Sequence, residues 1–209
     1  MKQIISIVRF LFLAVFLFLL AKGKMMLWLA LFGISLIAAL IFGRVYCGYI
    51  CPMNTLMIPA ESLSKKWKIQ TSNIPKWLGN GYFSWVTFIA SIAVMILAKR
   101  QWHMNLPVLP FWLIVSILIT LRYKPEVFHN LICPFGALQR AFGRFAKFSE
   151  KVNKTGCIGC KLCEKNCPSH AIAVSSDDKK AEIRTELCFQ CTNCQQVCPT
   201  QTIHYTKNN

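Results

Sequence analysis

The chain of 209 residues is 55% hydrophobic and only 15% charged, and it carries a formal net charge of +16. This composition is too apolar for an ordinary soluble domain. Eight of the eleven cysteines fall between Cys157 and Cys198. The sequence therefore has two parts: an apolar, basic part up to about residue 150, and a polar, cysteine-rich tail.

Four apolar runs in the first part predict membrane-spanning helices. They cover residues 4–21, 25–42, 82–98 and 106–121. Each run has roughly 16–18 residues, near the short end of the length that crosses the hydrocarbon core as a helix. We therefore expect an α-helical membrane protein with four transmembrane helices; a three-helix or re-entrant arrangement is the alternative.

Basic residues set the expected orientation of these helices. Arg44 and several lysines lie between the second and third runs, and Arg122, Lys124 and Arg140 follow the fourth, whereas the opposite side carries fewer. Because Lys and Arg are retained on the cytoplasmic side, both termini and the tail should face the cytoplasm from the inner membrane. No small-residue cleavage pattern follows the first run, so we expect it to be a retained anchor.

The basic excess also suggests a partner. Most of it flanks the apolar runs, which favours anionic membrane lipid over nucleic acid. Residues 135–152 are expected to form an amphipathic linker helix in the headgroup plane, with one aromatic face and one basic face. A helix facing a soluble core is the alternative. Its apolar face contains Phe135, Leu138, Phe142, Phe145 and Phe148.

A short cysteine motif occurs twice, directly after the second and fourth apolar runs. The first is Cys47, Cys51 and Pro52; the second is His129, Cys133 and Pro134. Residues four apart share a face of a helical turn, so two such turns could present four ligands to a third iron–sulfur site. The alternative is that these cysteines are small, buried packing residues. His129 is a candidate fourth ligand, a neighbour of the ligands or a proton-carrying group.

The tail carries two copies of the spacing Cys-x2-Cys-x2-Cys-x3-Cys-Pro. In this spacing the first three thiolates hold one [4Fe-4S] cluster and the fourth ligates the other cluster. Zinc would require paired cysteines, and disulfides are not expected in a reducing cytoplasm. We predict one cluster at Cys157, Cys160, Cys163 and Cys198, and a second at Cys188, Cys191, Cys194 and Cys167.

These motifs make residues 157–205 resemble bacterial two-cluster ferredoxins, a class with an α+β fold. Alternating apolar and polar residues between the motifs predict a β-hairpin linking the two halves. The expected domains are therefore a membrane domain (1–134), an interfacial helix (135–152) and a two-cluster ferredoxin domain (153–209).

The order of apolar runs, Cys-Pro motifs and ferredoxin motifs resembles the NapH-type membrane ferredoxins over nearly the whole chain. In that family the second motif usually has a cysteine where this sequence has His129. The resemblance implies a membrane component of a quinol dehydrogenase that works with other redox subunits.

The residues contain no recognisable hydrolytic triad, paired carboxylates or phosphate-binding loop, so we expect a non-catalytic electron-transfer subunit. It would relay single electrons between a quinone pool or membrane redox partner and a cytoplasmic partner. A metal reductase acting in enzyme maturation and a redox sensor are the alternatives. Trp102 and His103 are candidates for lining a quinone site, although an interfacial Trp more often anchors a helix.

Overall fold

Every apolar run found in the sequence forms an α-helix in the computed structural model, which describes residues 2–71, 74–75, 78–79, 81–102 and 107–208. The helices are α1 (Lys2–Ala21), α2 (Met25–Phe42), α3 (Pro52–Lys66), α4 (Phe83–Trp102), α5 (Val108–Arg122), α6 (Pro125–Val127), α7 (Pro134–Gly143), α8 (Leu162–Lys165) and α9 (Asn193–Val197). A first π-helix covers Tyr46–Ile50 and a second covers Phe128–Ile132. The strands are β1 (Phe148–Val152), β2 (Ile172–Val174), β3 (Ala181–Ile183) and β4 (Ile203–Lys207).

Three helices within the described ranges are long and apolar enough to cross a membrane: α1, α2 and α4. Helix α5 is also apolar but has only 15 residues, fewer than the ~20 that usually span the hydrocarbon core. The fourth transmembrane helix therefore stays a prediction. Of its predicted residues, Leu106 lies outside the described part of the chain.

The described chain forms two compact units, one made of residues 1–51 and 139–209 and the other of residues 52–138. In the first unit, the rings of Phe16 and Trp28 meet edge to face at 5.1 Å and pack α1 against α2. Trp28 also donates a hydrogen bond to the hydroxyl of Tyr46 at 3.0 Å. This contact attaches the first π-helix to the pair of apolar helices.

The tail of the first unit contains two antiparallel strand pairs. Strands β2 and β3 pair from Ile172↔Ile183 to Val174↔Ala181, so the hairpin predicted between the two cysteine motifs is confirmed. Strand β1 pairs with the distant β4, from Phe148↔Lys207 to Val152↔Ile203. Helices α8 and α9 are short and begin inside the two cysteine motifs.

The second unit consists mainly of α3, α4 and α5. Ser64 in α3 donates to the carbonyl of Leu121 in α5 at 2.6 Å. Trp112 in α5 donates to the hydroxyl of Ser91 in α4 at 3.1 Å. Thr87 in α4 donates to the carbonyl of Ile132 at 2.7 Å. The first two contacts join the three helices, and the third attaches the second π-helix to them.

The continuous helix predicted over residues 135–152 is wrong for its second half. Helix α7 ends at Gly143, and Phe148 lies in strand β1, where its ring stacks on those of Phe42 and Tyr205 at 6.5 and 6.2 Å. The helical spacing of the aromatic residues was overridden by backbone pairing with β4, a partner more than 50 residues away in the sequence. The predicted ferredoxin domain begins at residue 153, directly after β1, although β1 pairs with β4 inside that domain. The domain limits therefore remain a proposal.

Candidate functional site: two cysteine sets and two Cys-Pro turns

The first cysteine set surrounds a recess in the tail of the first unit. Its walls include Cys157, Cys160, Cys163 and Cys198, together with Gly159 from the loop between them. Three of these residues come from the first motif, whereas Cys198 is the last cysteine of the second motif. The chain thus brings together, around one recess, the four side chains that the spacing assigned to one cluster.

The second cysteine set is more deeply enclosed. Cys188, Cys191 and Cys194 are each less than 9% exposed, and Cys167 is partly buried. Burial raises the pKa of all three buried thiols, and the neighbouring thiolates raise it further. Several buried thiolates are stable together only when metal cations neutralise their charge.

Hydrogen-bond donors approach cysteine sulfurs in both sets. The amide of Ala181 donates to Cys157 Sγ at 3.4 Å, and the amide of Ala171 donates to Cys167 Sγ at 3.3 Å. Around Cys198, burial opposes ionisation, but hydrogen bonds from Thr202 and Thr200 outweigh it and lower the pKa of the thiol to about 7. Donors of this kind favour the thiolate, which is the form that binds iron.

Both Cys-Pro motifs share one local conformation. Each motif begins within a π-helix, and the amides of Cys51 and Cys133 close that helix by donating to the carbonyls of Tyr46 and Phe128 at 2.9 and 2.7 Å. Cys51 has φ −64° and ψ 117°, and Cys133 has φ −63° and ψ 119°. The residue before a proline is pushed out of the α conformation, which explains why both helices break at the cysteine.

The motif therefore repeats in structure as well as in sequence, but not as the α-helical turn that the four-residue spacing suggested. π-Helices are rare and occur frequently at functional sites. In each pair the first residue lies within the π-helix, and the second, Cys51 or Cys133, is an extended residue that ends the turn.

The first π-helix packs directly against the second cysteine set, within the first unit. A Cβ atom on Gly48 would lie 2.2 Å from the carbonyl oxygen of Phe189, so only glycine allows this approach. The hydroxyl of Tyr49 donates to the carbonyl of Gln190 at 2.9 Å. Phe189 and Gln190 are the two residues between Cys188 and Cys191. The loop of the second set therefore rests on residues 44–51, called here the Cys47 segment.

Arg44 reinforces this contact, and sequence reasoning treated it only as an orientation signal. Its side chain is fully buried. One guanidinium nitrogen donates to the carbonyl of Glu186 at 3.3 Å, the other donates to Cys47 Sγ at 3.7 Å, and the group lies 4.9 Å from the ring centre of Phe189. Burial raises the pKa of Cys47, and Arg44 opposes that rise. The sequence signal that could have indicated this role is the position of Arg44, three residues before Cys47 and just past an apolar run.

The second π-helix belongs to the second unit. His129 and Cys133 are both buried, and the amide of Gly136 donates to Cys133 Sγ at 3.3 Å. The rings of Phe128 and His129 meet edge to face at 5.7 Å. A four-residue site formed by Cys47, Cys51, His129 and Cys133 therefore remains a prediction. Of the quinone candidates, His103 and the side chain of Trp102 lie outside the described part of the structure.

In the described parts of the chain, no three His, Cys, Asp or Glu side chains converge tightly enough to hold one metal ion. A multi-iron cluster needs its ligands spread around a volume, as the first set is spread around its recess. The thiol donor sets, their burial and the donors at sulfur therefore fit iron–sulfur clusters.

Comparison with protein families agrees with this chemistry. A model described as a 4Fe-4S binding domain matches residues 25–70 and 105–154, which include both Cys-Pro motifs. A second model, described as a 4Fe-4S dicluster domain, matches residues 156–202. The protein is thus an iron–sulfur protein with apolar membrane helices.

Several curated proteins are similar over most of the chain. Protein MJ0749 of Methanocaldococcus jannaschii, which is uncharacterised, is 28% identical over 84% of this chain and 70% of its own length. The putative electron transport protein YccM of Escherichia coli is 28% identical over 78% of this chain, which spans only about half (51%) of YccM. The ferredoxin-type protein NapH of Haemophilus influenzae is 25% identical over 85% of this chain and 68% of its own. No solved structure gives a significant match.

These matches assign the chain to the iron–sulfur electron-transport proteins of the membrane. Within that class, the chain is a NapH-like membrane polyferredoxin.

Proposed function

We propose that the protein relays single electrons at the cytoplasmic face of the inner membrane, between a quinone pool or membrane redox partner and a cytoplasmic partner. Other redox subunits of a membrane complex would be its neighbours. When bound, iron–sulfur clusters supply one-electron oxidation and reduction. The chain would hold one [4Fe-4S] cluster at Cys157, Cys160, Cys163 and Cys198, and another at Cys188, Cys191, Cys194 and Cys167.

The observation that carries this proposal is the unequal placement of two equivalent cysteine sets. The second set rests on the Cys47 segment directly after α2, through Gly48, Tyr49 and Arg44. In the first set, Cys160 is exposed to solvent. One set thus lies against the membrane-proximal segment and the other is open to solvent. This placement suits an electron path that runs from a membrane partner at one end to a soluble partner at the other.

The residues of the chain would contribute binding and tuning, not bond chemistry. Amide and hydroxyl donors at Cys157, Cys167 and Cys198 stabilise negative charge on sulfur. Hydrogen bonds to cluster sulfurs and cationic neighbours raise reduction potentials, whereas burial away from water lowers them. The two sets differ in both respects, so we expect their potentials to differ.

The experiment that tests the relay is anaerobic reduction of the purified full-length protein by a quinol analogue such as menadiol, followed by EPR spectroscopy. The relay predicts reduced-cluster signals within seconds. Reduction of a copper or iron salt by the protein, with no response to quinol, would favour a maturation reductase instead.

We further propose a third centre at Cys47, Cys51 and Cys133, with His129 as the candidate fourth ligand. Support comes from the matching π-helix and Cys-Pro geometry of the two motifs and from donors at two of the sulfurs, Arg44 at Cys47 and the Gly136 amide at Cys133. Cys133→Ala should remove one EPR signal and leave the tail-cluster signals unchanged, whereas Cys198→Ala should alter a tail signal. An unchanged spectrum in Cys133→Ala would remove the third centre.

A further inference from the structure

The two cysteine motifs have the same spacing, yet the residues at equivalent positions have opposite exposure. Ile158 is 65% exposed, whereas its counterpart Phe189 is 1% exposed. Cys160 is exposed, whereas its counterpart Cys191 is buried. In the second motif these positions are covered by the Cys47 segment; nothing among the described residues covers them in the first.

The exposed residues on either side of Cys160 in the chain are apolar or basic. Ile158 and Leu162, 65% and 42% exposed, flank the cysteine. Lys161 and Lys165 are exposed beside them, and no carboxylate among the described residues lies within salt-bridge distance of either lysine. We call these five residues the carrier face. Its own acid, Glu164, is half-buried.

Acidic groups nearby are already balanced by basic ones. Asp177 and Asp178, in the turn between β2 and β3, are followed directly by Lys179 and Lys180. Asp178 also lies 3.9 Å from Lys154. The uncompensated charge next to Cys160 is therefore positive.

We propose that the carrier face is the docking site for a small acidic electron-carrier protein. This inference rests on the proposed relay, because it names the partner at the solvent-facing end of that path. An apolar centre with a charged rim is the usual anatomy of a transient protein interface, and the rim charge selects partners of opposite sign. An anionic lipid surface would also meet basic residues. A protein carrier is favoured because Cys160, a predicted cluster ligand, is itself exposed in this face, and a covering membrane would close that exit for electrons.

The test measures binding to the full-length protein in detergent, with a flavodoxin as the acidic probe and cytochrome c as the basic probe. Flavodoxin should bind, and its dissociation constant should rise with salt concentration. Reversing both lysines, Lys161→Glu with Lys165→Glu, should weaken flavodoxin binding by about tenfold or more. Ile158→Ser should weaken it with little change in salt dependence.

The matched control is Lys207→Glu, which reverses an exposed charge. Lys207 lies at one end of β4, and Ile203, which lines the recess of the first set, lies at the other end. It should leave flavodoxin binding unchanged. EPR spectra after dithionite reduction must be the same in all variants, which separates a lost docking site from lost clusters.

Three results would overturn the proposal. Cytochrome c could bind more tightly than flavodoxin, or the Lys207→Glu control could lose as much flavodoxin affinity as the double lysine variant. The third is binding of phosphatidylglycerol vesicles that depends on Ile158 and Lys161 while flavodoxin binding does not depend on them. In each case quinol could still reduce the clusters, so the relay would stand without this partner. Failure of quinol reduction with intact flavodoxin binding would instead contradict the relay alone.

Discussion

At the scale of single residues, Arg44 links the Cys47 segment to the second cysteine set. A fully buried guanidinium is costly unless its donors and its charge are matched. Here one side of the group meets Cys47 Sγ and the other meets the carbonyl of Glu186 and the ring of Phe189. A negatively charged sulfur attracts this guanidinium. Reduction of an iron–sulfur centre adds negative charge, so a nearby guanidinium stabilises the reduced form.

Replacing Arg44 by Gln should therefore lower the reduction potential of any centre held by Cys47 or by the second set. It should also destabilise the fold by about 3 kcal/mol, through loss of a desolvated cation–π contact and hydrogen bonds. Redox titration followed by EPR measures the first effect, and thermal unfolding measures the second.

The matched control is Arg144→Gln, which removes the same charge from an exposed position near the end of α7. It should change neither quantity appreciably. Equal potentials in wild type and Arg44→Gln would show that Arg44 only fills space.

The sequence indicated the chemistry of the tail residues but not the role of Arg44. The cysteine spacing was enough to predict which side chains surround the first recess, because the ligand pattern of such motifs is local and regular. Glu186, which accepts from Arg44, lies 142 positions away. A contact of that separation has no periodic signature along the chain.

At the scale of elements, the first π-helix and the loop of the second set depend on a close backbone approach at Gly48. Gly48→Ala would put a methyl group 2.2 Å from the Phe189 carbonyl oxygen, so one segment must move. We expect a loss of about 1–3 kcal/mol, typical of overpacking, and an altered EPR signal from the second set.

Gly33→Ala is the matched control. Gly33 lies in α2, and a Cβ atom there would have no neighbour within 4 Å. Alanine in the middle of a helix is expected to be neutral or to stabilise by up to about 1 kcal/mol. Equal unfolding temperatures for the two variants would contradict the close packing of the π-helix on the loop.

Strand β1 places a buried carboxyl, Glu150, beside the second set. Burial raises its pKa, while a hydrogen bond from Gln195 at 2.8 Å and the nearby His204 oppose the rise. Because the pKa is higher in the folded state than in the unfolded chain, the stability that Glu150 contributes is present at low pH. It is lost as the pH rises through the folded-state pKa.

Glu150→Gln should therefore unfold at a higher temperature than wild type at pH 8, and the difference should shrink as the pH falls towards 5. A series of thermal unfolding curves between these values tests the prediction. A difference that does not depend on pH would mean that the carboxyl does not titrate in this range.

Element prediction succeeded where hydrophobic periodicity and local turns decide the structure. The apolar runs became α1, α2, α4 and α5, with ends shifted by only a few residues, and the hairpin β2–β3 formed as expected. It failed at β1, since the aromatic spacing fitted a helix and the pairing partner β4 lies at the other end of the tail. It also failed at the two π-helices, because the spacing of the ligands does not distinguish a π-helical turn from an α-helical one; the proline after each cysteine explains only where the turn ends.

At the scale of the whole molecule, two repeats account for the architecture. A Cys-Pro turn follows α2 and, 82 residues later, another follows a second apolar segment. Two equivalent cysteine sets follow in the tail. Among the residues that the structure describes, a membrane-proximal segment covers only one member of the tail pair, and this asymmetry supports a relay with distinct inner and outer ends.

The composition predicted a membrane protein and the cysteine spacing predicted an iron–sulfur tail. Three long apolar helices among the described residues support the first prediction, and the match to a 4Fe-4S dicluster domain supports the second. The number of transmembrane helices was less predictable, because a 15-residue apolar helix is short for a span. The orientation prediction rests on a different kind of signal, the unequal number of Lys and Arg residues on the two sides of the membrane, and not on contacts within the fold.

The most direct test of the central claim is the iron and acid-labile sulfide content of the anaerobically purified full-length protein, with EPR of the reduced form. Two four-iron tail clusters would give about eight iron atoms and about eight sulfides per chain, and a third centre would add to both. Bound zinc, or an absence of inorganic sulfide, would contradict the claim.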